Sequence, residues 1–186
     1  MGNSVIDLRS ALKLLENTPG QLISTDVEVD PSAELAGVYR HIGAGGTVAR
    51  PTKLGPAMMF NNVKGHPNSK VVIGMLSDRA RVALLLGTTP DKLGQLLRDS
   101  VKNPIQPIVI DSSKAQCQEV VHLATDPDFD IRKILPAPTN TPEDAGPYIT
   151  LGMCYASDTE NGDSDVTIHR LCLQSKDEIT MFFTPG

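Results

Sequence analysis

The run Asp165-Val166-Thr167-Ile168-His169-Arg170 sets a carboxylate, a hydroxyl, an imidazole and a guanidinium inside a stretch that otherwise reads as a β-strand. With a side-chain period of two, Asp165, Thr167 and His169 share one face, while Val166, Ile168 and Arg170 share the other. Arg170 therefore points with the apolar residues. A buried arginine needs an anionic partner, either carboxylate or phosphate, because an unpaired buried charge is costly. That requirement makes Arg170 a candidate anion binder. The bland reading of the same run is the polar outer face of a half-exposed strand.

Other polar clusters carry less chemistry. Gly43-Ala44-Gly45-Gly46 follows a helical pattern instead of a strand and meets neither a GxGxxG nor a Walker spacing, so it reads as a helix stop. Asn61-Asn62-Val63-Lys64-Gly65-His66 is explained by turn chemistry. Asp126, Asp128 and Asp130 alternate as in a calcium loop, but Pro127 takes the second position and the required Gly and Glu are missing from their places. A solvated turn is expected there. His122 reads as a hydrogen-bonded structural histidine, and Cys117, Cys154 and Cys172, which form no CxxC pair, as small buried apolar residues. The four histidines are scattered, so a metal site would have to be assembled in space.

These residues need a frame. Val5, Leu8, Leu12 and Leu15 recur at helical spacing behind a Ser4/Asp7 capping box, and Pro19-Gly20 ends that helix. A strand is expected over 21–29, then a helix from Asp30-Pro31 to about Ile42. Residues 57–60 and 70–75 read as strands, the second apolar enough to be covered on both faces. Helices follow over 78–86 and from Thr89-Pro90, the latter with Leu93, Leu96, Leu97 and Val101 on one stripe, and 107–110 returns as a strand.

Prolines 127, 136, 138, 142 and 147 then mark an ordered linker. Beyond it, 148–157 and 165–174 form a hairpin around Asn161-Gly162, with a third strand over 178–183. The expected class is α/β (α+β): an α/β domain over 1–115, a Pro-rich linker over 116–147, and the first strands of a barrel over 148–186. A three-stranded meander with two usable edges is an unfinished sheet, so the natural polypeptide is expected to continue.

The 186 residues carry 17 basic and 22 acidic side chains, a net charge of -5, and only seven aromatics, which argues against a nucleic-acid binder. The longest aliphatic stretch, 82–86, is too short to span a bilayer and no signal peptide is evident, so a cytoplasmic protein is expected.

The segment from Ile134 to Phe183 resembles the UbiD-type carboxy-lyases. The resemblance is carried by Leu135-Pro136, Asp144-Ala145-Gly146-Pro147-Tyr148-Ile149-Thr150, the turn around Asp158 and Gly162, and the Asp165 to Arg170 strand. Earlier stretches that fit are the helix over 7–16, the strand and turn over 57–65, and Cys117-Gln118-Glu119-Val120-Val121. The strand is similar to the branch acting on hydroxylated aromatic acids such as gallate, protocatechuate or 4-hydroxybenzoate. The resemblance implies a split β-barrel that binds prenylated FMN, with Arg170 as the catalytic arginine contacting the cofactor. It implies Asp165 as a ligand of a divalent metal, Mn²⁺ or Mg²⁺, with K⁺ as a further ion. Val166, Thr167, Ile168 and His169 would contact the cofactor.

It also implies that the acid-base glutamates and remaining metal ligands follow Gly186, that a separate flavin prenyltransferase supplies the cofactor, and that the protein is a homo-oligomer. This fragment alone is then expected to be inactive. The alternative is a non-catalytic flavin-binding or scaffold subunit that completes its sheet with a partner chain. Because Asp165 and Arg170 lie five apart yet must share one cofactor, a bulge or strand end is expected between them.

Overall fold

The computed structural model describes residues 5–44 and 54–183. Helix α1 (Leu8–Glu16) is capped by Asp7, whose carboxylate accepts from the Ser10 backbone N–H at 2.7 Å while the Ser10 hydroxyl accepts from the Asp7 N–H at 3.0 Å. The reciprocal capping box thus sits one turn later than the Ser4/Asp7 pair. Ser4 lies outside the described residues. Ala11 and Leu15 bury their faces of α1 against Ala57 and Leu85.

Three short strands form the first sheet. β2 (Ala57–Phe60) is central, parallel to β1 (Leu22–Thr25) and antiparallel to β3 (Val71–Ile73). Ala57, Met58 and Phe60 are buried, and with Val29, Leu35 and Val63 they supply most of the core. β3 corrects the expectation of a strand covered on both faces: it is a half-buried edge strand, its apolar run serving one face of a small mixed sheet. The strand expected over 21–29 stops at Thr25, leaving Val29 as an isolated bridge to Val63.

Helix α2 (Glu34–Ala44) begins later than Asp30-Pro31 suggests. The Asp30 carboxylate accepts from the Ser32 N–H at 2.8 Å, forming a side-chain turn, and Ala33 takes φ 65°. Ala33 N–H then donates to Thr139 O at 2.7 Å and Thr139 N–H to Pro31 O at 3.1 Å. The Pro-rich segment around Thr139 is therefore pinned to the start of α2. Gly45 and Gly46 of the expected helix stop lie outside the described residues.

Helices α3 (Arg79–Leu85) and α4 (Leu93–Lys102) follow, but α4 does not bury the stripe its spacing suggests. Leu93 alone is buried, while Leu97 and Val101 face solvent. No strand forms over 107–110, where Ile108 and Val109 are exposed and pair with no strand among the described residues. Two 3-10 turns and the short α5 (Ile131–Ile134), capped by Asp130, follow. His122 and Cys117 are exposed and Cys154 is half-buried, so of the residues read as buried only Cys172 is so.

The second sheet is an antiparallel meander of β4 (Tyr148–Ser157), β5 (Ser164–Leu173) and β6 (Ile179–Met181). Its hairpin turn closes through Asp158 N–H to Asp163 O at 2.7 Å, with Gly162 at φ 79°, a conformation that favours glycine. Mixed helices and two small sheets agree with the α/β (α+β) class. Among the described residues, no helix is long and apolar enough to cross a membrane.

Candidate functional site

β5 carries the polar run, and its neighbours decide what the run can reach. The ladder pairs His169 with Gly152 and Leu171 with Ile149, so Thr150 and Leu151 of β4 together oppose Arg170 alone. A β-bulge therefore exists, but on β4 opposite Arg170 instead of within β5 as the sequence suggested. Gly152 permits it. A Cβ at that position would lie 2.6 Å from Leu171 Cδ1 and 3.0 Å from His169 O.

Because β5 itself is unbroken, alternation keeps Asp165, Thr167 and His169 on one face and Val166, Ile168 and Arg170 on the other. Contacts agree with that division. His169 packs edge-on against Phe183, ring centroids 5.0 Å apart, whereas Arg170 opens into a cleft with Tyr148, Cys172, Thr180, Met181 and Phe182. The cleft encloses about 470 Å³. Asp165, whose Oδ1 accepts from the Val166 N–H at 2.8 Å, does not face it.

The two faces meet along one line. β6 pairs only with Leu171 to Leu173, so from Ser164 to Arg170 the far edge of β5 has no partner strand among the described residues. That edge presents backbone N–H and C=O groups beside the Arg170 side chain.

Arg170 itself corrects the expectation of burial. It is exposed, and no carboxylate pairs with it among the described residues. Among the described residues the buried arginine is Arg81, 1% exposed, and it is held by neutral acceptors: Gln21 Oε1 at 3.1 Å, Gly74 O at 2.5 Å, Gly55 O at 2.5 Å and Ser77 Oγ at 3.3 Å. Four hydrogen bonds replace the anion that burial was expected to require. A signal for it was present, since Arg81, Leu84 and Leu85 share one stripe of α3.

The motif residues before β5 build the cleft wall. Asp144 Oδ2 accepts from the Asn140 and Thr141 N–H groups, both at 3.0 Å, closing the turn that delivers the chain to β4. Tyr148 N–H donates to Pro138 O, and Leu173 N–H to Pro147 O, both at 2.9 Å. Gly146 lies so close to Cys172 that an added Cβ would sit 3.4 Å from its sulfur. The Cys172 side chain, directly across the ladder from Tyr148, raises the phenol above its ordinary value, through hydrogen bonding first. Charge on Cys172, loss of water and Asp144 act in the same direction, while Arg170 opposes them. Tyr148 is a site residue the sequence reading did not single out.

Two family descriptions match the chain: the 3-octaprenyl-4-hydroxybenzoate carboxy-lyase N-terminal domain over residues 12–101 and its Rift-related domain over residues 108–186. Gallate decarboxylase of Lactiplantibacillus plantarum is 51% identical over 97% of this chain and 37% of its own length. The apo 3,4-dihydroxybenzoic acid decarboxylase of Enterobacter cloacae superposes with a TM-score of 0.91 at 60% identity, over 99% of this chain and 38% of that one. The UbiD-class enzyme HmfF of Pelotomaculum thermopropionicum, in an evolved dimeric form in complex with prFMN, gives 0.81 at 29% identity, over 99% and 39%. The chain thus spans well under half the length of these relatives. With both domains matched in order, the chain belongs to the UbiD family of carboxy-lyases.

Proposed function

We propose that the full-length protein is a reversible, non-oxidative decarboxylase of hydroxylated aromatic acids that uses prenylated FMN, with Arg170 as its catalytic arginine. The observation that carries this reading is an exposed guanidinium that, among the described residues, has no carboxylate partner and stands at an unpaired edge of β5, opening into a cleft of about 470 Å³. A fork of N–H donors beside free backbone groups fits an anionic flavin. The relatives named gallate decarboxylase and 3,4-dihydroxybenzoic acid decarboxylase support the substrate class.

Asp165 and Arg170 occupy opposite faces, so they meet a common ligand only if it straddles the open edge. In this reading Arg170 from one face and His169 and Asp165 from the other would hold the cofactor at that edge. Val166, Thr167, Ile168 and His169 supply backbone and side-chain contacts along it. When bound, the prenylated flavin supplies the electron sink that Asp, His and Arg side chains lack. Arg170 holds and orients the anionic group at the cleft. Asp165 offers one oxygen ligand to a hard cation, Mn²⁺ or Mg²⁺, with K⁺ as a further ion. No three His, Cys, Asp or Glu side chains converge among the described residues, so Asp165 contributes one ligand to a larger set.

On the same reading the chain divides into an α/β unit over 1–115, a linker over 116–147 and barrel strands over 148–186. The fragment is inactive alone, and the complete protein is a cytoplasmic homo-oligomer loaded by a flavin prenyltransferase. The test is to produce the complete gene product with and without a co-expressed prenyltransferase and to measure CO₂ release from gallate, 3,4-dihydroxybenzoate and 4-hydroxybenzoate. Release that requires the prenyltransferase is expected. Absence of turnover on all three acids with flavin bound would favour the non-catalytic alternative.

A further inference from the structure

One cross-strand row of the second sheet is unusually polar. Tyr148 on β4 pairs directly with Cys172 on β5, and Cys172 with Thr180 on β6, so a phenol, a thiol and a hydroxyl stand side by side. Two residues along β5 on the same face is Arg170, and all four line one cleft with Phe182.

The row is fixed in place. Cys172 is 3% exposed, its sulfur accepts from Gln174 Nε2 at 3.0 Å, and Gly146 closes over it. Tyr148 is tied at its backbone to Pro138. Tyr148 lines the cleft, and a phenol hydroxyl can both accept from and donate to an incoming group. Thr180 is exposed in the cleft and its hydroxyl can turn to donate or accept.

We infer that Tyr148 and Thr180 are specificity-determining residues that recognise the ring hydroxyl of the substrate, with its carboxylate toward Arg170 and its ring against Phe182. The cleft thereby selects a hydroxylated aromatic acid over the bare aromatic acid of the same shape. A site built to pair a hydroxyl discriminates against an analogue lacking it more strongly than an apolar pocket discriminates by size. This inference rests on the proposed decarboxylase reading and adds the residues that choose among its substrates.

The test uses the full-length protein, wild type, Y148F and T180V. Titration calorimetry with benzoate, 4-hydroxybenzoate and 3,4-dihydroxybenzoate is read beside CO₂ release. Y148F is expected to weaken binding of the hydroxylated acids about tenfold, the worth of one hydrogen bond, and to leave benzoate unchanged. T180V, at an exposed position, is expected to act in the same direction and carries the test if Y148F fails to fold. Equal weakening for all three acids would assign Tyr148 a structural role, and unchanged ratios in a folded pair of variants would remove the row from recognition. Either result overturns the inference while wild-type turnover keeps the decarboxylase reading intact. A wild type that binds none of the acids overturns both.

Discussion

Arg81 offers a contest between two large terms whose outcome can be measured. Its guanidinium joins the loop before β1, through Gln21, to Gly55 ahead of β2 and Gly74 after β3. In an Arg81→Met variant, Gly74 O keeps a donor, because the Ser77 hydroxyl donates to it at 2.9 Å. Gly55 O and Gln21 Oε1 lose theirs, at about 1–3 kcal/mol for each stranded acceptor. Methionine keeps much of the buried stem, and removing a desolvated charge that no carboxylate among the described residues neutralises recovers part of the loss. The net expectation is destabilisation by about 2 kcal/mol, or roughly 30-fold in local opening.

Arg81→Lys should be worse, because it retains the charge but cannot span three strand ends with one ammonium. Native-state hydrogen exchange in the full-length protein reads this at the Ala57 amide, which donates to Gln21 O at 2.9 Å. Protection should fall in the order wild type, Met, Lys. A methionine variant as protected as wild type, or more so, would mean that desolvation of the guanidinium outweighs its four bonds.

Gly152→Ala should destabilise the bulge by about 1–3 kcal/mol, since Leu171 can rotate away from the new methyl but the His169 carbonyl cannot. A thermal midpoint unchanged from wild type would show that β4 can shift without cost. The Arg132 guanidinium, bonded to both Asp130 oxygens at 2.9 Å, holds the Asp130 carboxyl at about 2 against an ordinary 3.8. A carboxyl with a depressed value stabilises the fold above 3.8, and that contribution is lost as pH falls from 3.8 toward about 2. Asp130→Asn keeps a capping side chain, so urea midpoints followed down in pH should lose that acid-dependent component; an identical pH profile would refute the assignment.

The secondary structure was most legible where local chemistry decides it. The α1 periodicity and the Asn161-Gly162 hairpin both rest on interactions within a few residues. Errors arose where a distant partner decides. Asp30-Pro31 reads as a helix start until Thr139 bonds to Pro31 and Ala33 on either side of Ser32, and 107–110 reads as a strand although no strand among the described residues pairs with it. Arg170, read as buried, is exposed for the same reason, and Arg81, on which no reading was made, is buried. Apolar neighbours in a strand imply burial only if something covers that face, whereas Arg81 is buried because three strand ends converge on it. The polar run was visible as a candidate site, but its open edge, the opposing bulge and the Tyr148 row depend on strand lengths and register. No spacing rule within the run encodes them.

The most direct measurement is CO₂ release from 3,4-dihydroxybenzoate by the full-length, cofactor-loaded protein with Arg170 replaced by Ala, alongside its thermal midpoint. Arg170 is exposed and has no carboxylate partner among the described residues, so the midpoint should stay within the range of an ordinary surface change, about 0.5 kcal/mol. Turnover should fall by about 100-fold or more, as expected when a preorganised charged donor is lost from a reacting site. A variant that keeps wild-type turnover would contradict the central assignment of Arg170.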